Sequence, residues 1–254
     1  MEIILVKTVS VLQHGRMDKS NISILSFDQD WASDEICLSI ADLLISKNIK
    51  STWFITNKGF FLEKLMQFPD LFELGIHPNF LPDSSHGNSL MDVLDNITSI
   101  VPMARVSRGH AVFQYGSILQ VMRNKYNISW DLTMFMYEKD NLYPTKLFTS
   151  PENFLYRLPV FWCDDHEFNN PEKDWSLKKY QSVFGVKVFS FHPIHVYLNS
   201  GTAADYINYK NNNSNEELKS FINPLIGCRN AFDDLLDVLS YQQNYFISQL
   251  KNEK

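Results

Sequence analysis

Two rhythms of apolar residues alternate along this chain. Short, nearly continuous apolar runs read as buried strands at 22–27 (ISILSF), 51–56 (STWFIT), 72–76 (FELGI), 104–107 (ARVS), 128–130 (ISW), 156–162 (YRLPVFW) and 186–191 (VKVFSF). Between them, apolar positions recur at helical spacing. Residues 34–47 put Ile36, Ile40, Leu43 and Leu44 on one face, with Ser33 as N-cap and Asp34 and Glu35 at the positive end of the dipole. A short helix is expected over 60–68, further helices over 89–101 and 116–126, and a long C-terminal helix over 229–250. Residues 1–20 are expected to form a peripheral strand or tail, and the Asn-rich stretch 208–217 a mobile loop. No repeat or linker divides the chain, so a single domain over 1–254 is expected. Strands alternating with helices predict an α/β fold with parallel strands and right-handed crossovers. Seven such strands suit a barrel or a doubly wound sheet.

The residues just after the strands favour the barrel. Asp28 and Asp30 come after the first run, His77 after the third, and Arg108 and His110 after the fourth. Asp131 comes after the fifth, Asp164 and Asp165 after the sixth, and His192 and His195 after the seventh. In a parallel barrel all these strand ends share one rim, where active sites form. Asp28 and Asp30 pose the sharpest question, because carboxylates beside a buried strand need a partner. Either they cap the segment after the strand, or they hold a metal or move a proton.

Composition narrows the classes. Of 254 residues, 44% are hydrophobic, enough for a sizeable core. The net charge of −6 argues against nucleic acid or an anionic membrane as partner. Cys37, Cys163 and Cys228 are far apart and odd in number, so neither a disulfide framework nor a zinc knuckle is expected, and a reducing, cytoplasmic setting fits. The first residues lack the long apolar region and cleavage site of a signal peptide, and no run is long enough for a membrane span. Carboxylate plus imidazole is a ligand set for Zn²⁺ and similar ions. The candidates are Asp28 or Asp30, His77, His86, His110, His166, His192 and His195.

FDQDW, TWFIT, GIHPNF, SRGH and SFHPIH occur in the order and approximate spacing found in NodB-homology polysaccharide deacetylases, carbohydrate esterase family 4. Over roughly residues 22–200 the chain most resembles the divergent WbmS-like branch, associated with bacterial surface-polysaccharide clusters. The resemblance implies a distorted (β/α) barrel of about seven parallel strands. It also implies metal-dependent removal of an acetyl group from a sugar, with zinc the expected divalent ion. Aligned on Phe27, Asp28 falls on the family's general base, the metal position falls on Gln29, and Asp30 lies one residue beyond. His77 matches the first metal imidazole, but Leu81 stands where the second should be. Asp30 and His86 are the expected replacements, giving a set of Asp30, His77 and His86. Arg108 matches the residue that orients the base, and His192 the general acid. Trp31, His110, Asp164, Asp165 and His195 are expected to meet the substrate, an amino sugar or glycan. Two other readings remain open: hydrolysis of a formamide or other carboxamide, and a catalytically silent glycan-binding or scaffold protein on the same fold.

Overall fold

The computed structural model describes residues 21–30, 32–212 and 217–250, so the expected tail at 1–20 lies outside the described residues. In chain order the elements are β1 (Asn21–Asp28), α1 (Asp34–Lys47), β2 (Ser51–Ile55), α2 (Phe60–Met66), β3 (Phe72–Ile76), α3 (Leu90–Ile100), β4 (Val106–Ser107) and α4 (Gly116–Tyr126). They continue as β5 (Trp130–Asp131), β6 (Thr145–Ser150), β7 (Asn153–Arg157), β8 (Trp162–Cys163), α5 (Asp164–Phe168), β9 (Gly185–Phe191), α6 (Pro193–Leu198), α7 (Ala203–Asn212) and α8 (Cys228–Ser240).

The strands form one sheet in the order β6-β7-β5-β4-β3-β2-β1-β9-β8. Every neighbouring pair is parallel except β6 with β7. This is a distorted, incomplete (β/α) barrel with β6 and β8 as its ends. β1 lies inside it between β2 and β9, and both of its faces are buried, which is why it reads as an unbroken apolar run. Alternate side chains go to different cores. Leu25 and Phe27 pack outward with Trp53, Phe191 and the helix residues Ile36, Ile40, Leu44, Phe232 and Leu236. Ile22 and Ile24 pack inward with Phe54, Val106, Trp130, Val186 and Val188.

Local sequence sets the helix ends. Ser33 Oγ accepts from the Ile36 amide, and Asn48, at φ 54°, closes α1 in the left-handed conformation. Ser89 and Asp92 cap each other's backbone at the start of α3.

The structure corrects several boundaries. β1 continues through Asp28, so that carboxylate is part of the strand itself. The expected strand 156–162 is parts of two strands, interrupted over 158–161, and its first part, β7, belongs to a hairpin with β6 that the pattern did not show. The stretch expected to be a loop from 208 is helical through Asn212; its residues 213–216 lie outside the described residues. The long helix ends at Ser240, and a separate 3₁₀ turn, Ile247–Leu250, comes after it.

Candidate active site

A cavity of about 370 Å³ opens at the C-terminal ends of the parallel strands. The end of β1 supplies Asp28 and Asp30, the segment after β3 supplies His77, and the segment after β4 supplies Arg108 and His110. Cys163 and Asp165 come from around the end of β8, and Ser190 and His192 from the end of β9. Asp28 continues the inward face of Ile22 and Ile24. Asp30, two residues on and at φ 39°, also turns into the cavity. Gln29 between them turns away, and its Oε1 accepts from the amides of Thr56 and Asn57 at 2.8 and 2.9 Å. The residue at the family's metal position is therefore a buried clamp between strand ends.

Three ligand atoms meet around Asp30. Its Oδ1 lies 3.1 Å from His77 Nε2 and 3.1 Å from His110 Nδ1, and these two nitrogens are 3.4 Å apart. Tetrahedral ligands about 2.0–2.1 Å from a zinc ion are spaced by about 3.3 Å. The triangle thus has the edge lengths and donor types of three corners of such a site. His110 takes the place expected for His86. The His86 ring is committed elsewhere: Nδ1 accepts from the Asn79 amide at 3.1 Å, and Nε2 faces the Thr56 carbonyl at 3.0 Å. With both nitrogens on backbone groups, His86 braces its loop and has no lone pair to offer. Gly109 lets Arg108 and His110 both enter the site, since a Cβ there would lie 2.6 Å from the Phe113 carbonyl oxygen.

This crowding sets the electrostatics. Burial alone would raise the Asp30 pKa, but His77, His110 and His192 outweigh it and hold the carboxyl well below the usual range. Burial would likewise lower His77, yet the carboxylates of Asp28 and Asp30 raise it.

Asp28 Oδ1 is paired with Arg108 Nε at 3.0 Å and lies 3.5 Å from His77 Nδ1. The Arg108 contact is an ion pair without hydrogen-bond alignment, so Asp28 Oδ1 remains buried with no hydrogen-bond partner among the described residues. Ser190 Oγ donates to Asp28 Oδ2 at 3.3 Å. Arg108 is itself anchored: Nη2 donates to Ser26 Oγ at 2.9 Å, and the guanidinium lies 4.1 Å from the centroid of the Phe54 ring.

Across the cavity, Asp164 is fully buried and receives the His192 amide at 2.7 Å and His192 Nδ1 at 2.7 Å. The other ring nitrogen, Nε2, faces Asp30 Oδ2 at 3.3 Å. Burial would push His192 down, but Asp165, Asp164 and Asp30 together raise it well above an ordinary imidazole. Asp164 therefore holds a histidine and lies behind the cavity wall, away from where it was expected to meet a ligand. Asp165 lines the cavity, and its Oδ1 is 3.1 Å from His195 Nε2. Trp31 lies outside the described residues. Asp131, at the end of β5, is buried against Arg157 Nε at 2.9 Å and takes no part in the cavity. Leu132, Met134, Phe135 and Val160 form an apolar wall that sequence reasoning missed, because they lie in short segments without periodicity. His166 lines the same wall, 4.5 Å in ring centroid from Tyr137 and 4.8 Å from Phe135.

The model of the WbmS-like polysaccharide deacetylases matches residues 25–210. The chain belongs to this family. It is similar to the crystal structure of WbmS from Bordetella bronchiseptica, described as a putative polysaccharide deacetylase involved in O-antigen biosynthesis. The two share 29% identity and a TM-score of 0.76 over 85% of this chain and 90% of that one. A 4-α-glucanotransferase from Thermococcus litoralis shares the fold alone, at 10% identity and a TM-score of 0.53, over 90% of this chain and 37% of that one. Among curated proteins none matches the chain. No helix among the described residues is long and apolar enough to cross a membrane.

Proposed function

We propose that this deacetylase-family chain is a metal-dependent hydrolase that removes an N-acetyl group from an amino-sugar unit during surface-polysaccharide biosynthesis. One observation carries the reading: a three-donor seat, a buried carboxylate with an open oxygen, and a carboxylate-held imidazole face one cavity. Asp30 Oδ1, His77 Nε2 and His110 Nδ1 would hold the ion, zinc by donor type. When bound, such an ion supplies Lewis-acid chemistry, polarising an acyl carbonyl and acidifying water. Asp28 Oδ1 is the base that takes a proton from water, and Arg108 pairs with that carboxylate and holds it in place. His192 Nε2 is the acid: Asp164 fixes its Nδ1 proton and favours its charged form, which the poor amine leaving group requires. The apolar wall at Leu132, Met134 and Phe135 suits the acyl methyl and the ring faces of a sugar. All three cysteines are free thiols, which suits a precursor met in the reducing cytoplasm.

The test is metal content of the chain reconstituted with one equivalent of zinc, with acetate release from N-acetylated sugar nucleotides as second readout. We expect one ion per chain, lost in His77→Ala and in His110→Ala and kept in His86→Ala. Asp28→Asn should keep the ion and lose about 10²–10⁴ in turnover. No ion in the wild type, with no acetate released, would overturn the hydrolase reading and favour a silent glycan-binding scaffold. An ion with turnover only on formamides or other carboxamides would move the reading to that class.

A further inference from the structure

Asp30 presents one carboxylate oxygen to His77 and His110. Its second oxygen, Oδ2, faces a different group: His192 Nε2 at 3.3 Å, which in turn lies 3.7 Å from Asp165 Oδ2. Asp165 Oδ1 then meets His195 Nε2 at 3.1 Å. One donor atom from each of Asp165, His192 and His195 lies within 4.8 Å of the others. We propose that Asp165, His192 and His195, completed by Asp30 Oδ2, form a second divalent-cation site whose occupation inhibits the enzyme.

The donor set is the same carboxylate–imidazole chemistry as the first seat and suits zinc. Both imidazoles are already turned for it. A metal-ligating histidine characteristically gives its other ring nitrogen to a fixed partner, which sets the tautomer and the ring plane. His192 Nδ1 has Asp164 Oδ1 at 2.7 Å, and His195 Nδ1 has Ser200 Oγ at 3.4 Å. Both rings are buried, whereas the Asp165 side chain is 53% exposed and free to close the gap onto an ion. Asp30 links the two seats as a carboxylate with one oxygen toward each, an arrangement shared by two-metal hydrolases.

The inhibition stems from the proposed role of His192 as proton donor and rests on that reading. An ion on Nε2 occupies the lone pair that otherwise carries the transferable proton. Activity should therefore rise as the first seat fills and fall as the second does.

The measurement is zinc per chain by equilibrium dialysis against rising free zinc, on the full chain, for wild type, Asp165→Asn and His195→Gln. Wild type should pass from one ion to two, with each variant stopping at one. Inhibition by excess zinc, taken relative to each protein's own maximum, should weaken at least about 10-fold in Asp165→Asn. Asp165 is on the surface, so its variant keeps the test informative if the buried His195 variant does not fold. Saturation of wild type at one ion would overturn the second site, as would a second ion retained in both variants. Neither result touches the first seat, whose failure shows separately as no ion at one equivalent. Two ions bound without inhibition would remove the inhibitory role and, with it, His192 as proton donor.

Discussion

Gln29 sits between the two cavity-lining carboxylates, and its environment is the opposite of theirs. Its amide oxygen receives two backbone N–H groups, from Thr56 and Asn57, in a buried place. Removing that oxygen leaves both donors without a partner. Gln29→Ala should therefore cost about 1–3 kcal/mol, read as a lower urea midpoint at unchanged slope. Its zinc content should match wild type. A variant that loses zinc without losing stability would show that Gln29 serves the metal and not the fold. The alignment on Phe27 put the metal position at Gln29, but β1 ends at Asp28 and the chain then turns. Asp30, at φ 39°, is brought to the cavity by that turn, which alternation along β1 does not predict. His86 and His110 were not separable from sequence either. Both lie in turn-rich sequence, and the difference between them is the partner of each ring, Asn79 and Thr56 in one case and Asp30 in the other.

Glu73 shows how one element holds another. It lies on β3, where its carboxylate accepts from Thr52 Oγ1 at 2.8 Å on β2 and from the amides of Ile247 and Ser248 at 3.1 and 3.2 Å. These bonds dock the last 3₁₀ turn so that Ile247 and Leu250 fill the inner core beneath the cavity. The periodic pattern of α8 is legible in sequence, but the docking of the separate turn after it depends on an acid far away in the chain. Burial raises the Glu73 pKa, and its hydrogen bonds only partly offset that. The folded chain therefore holds this proton more tightly than the unfolded chain. Stability from this site is greatest below the unfolded pKa of about 4.3 and declines as pH rises through the raised folded value. Glu73→Gln has no such titration. The melting temperature of wild type relative to Glu73→Gln should fall as pH goes from about 4 to about 7. A difference that stays flat, or grows, across that range would show that Glu73 is not strained by its charge.

At the scale of the molecule, the alternation of strands and helices left a barrel or a doubly wound sheet open, and the polar residues at strand ends favoured the barrel, which the strand order bears out. The strand order was not legible. β1 and β9 pair along nearly their whole length although about 160 residues separate them, for example Asn21 with Gly185 and Phe27 with Phe191. Only side-chain packing on both faces selects that register. The consequence is that the rim residues reach one cavity from strands that do not depend on one another locally. Asp30 lies just beyond β1, His77 beyond β3 and His110 beyond β4, so an ion held by all three ties β1 to strands that its hydrogen-bond ladder reaches only through β2. An ion that binds the folded chain and not the unfolded one stabilises by mass action, about 2.7 kcal/mol at one hundred times its dissociation constant. For a chain of this size that is roughly 5–10 °C in melting temperature. Chelation of the zinc-loaded chain should lower the melting temperature by that amount. In Asp30→Asn the shift should vanish, because the substitution removes the anionic oxygen common to both imidazole contacts. A shift that survives in Asp30→Asn would place the stabilising ion on other ligands than the Asp30–His77–His110 seat.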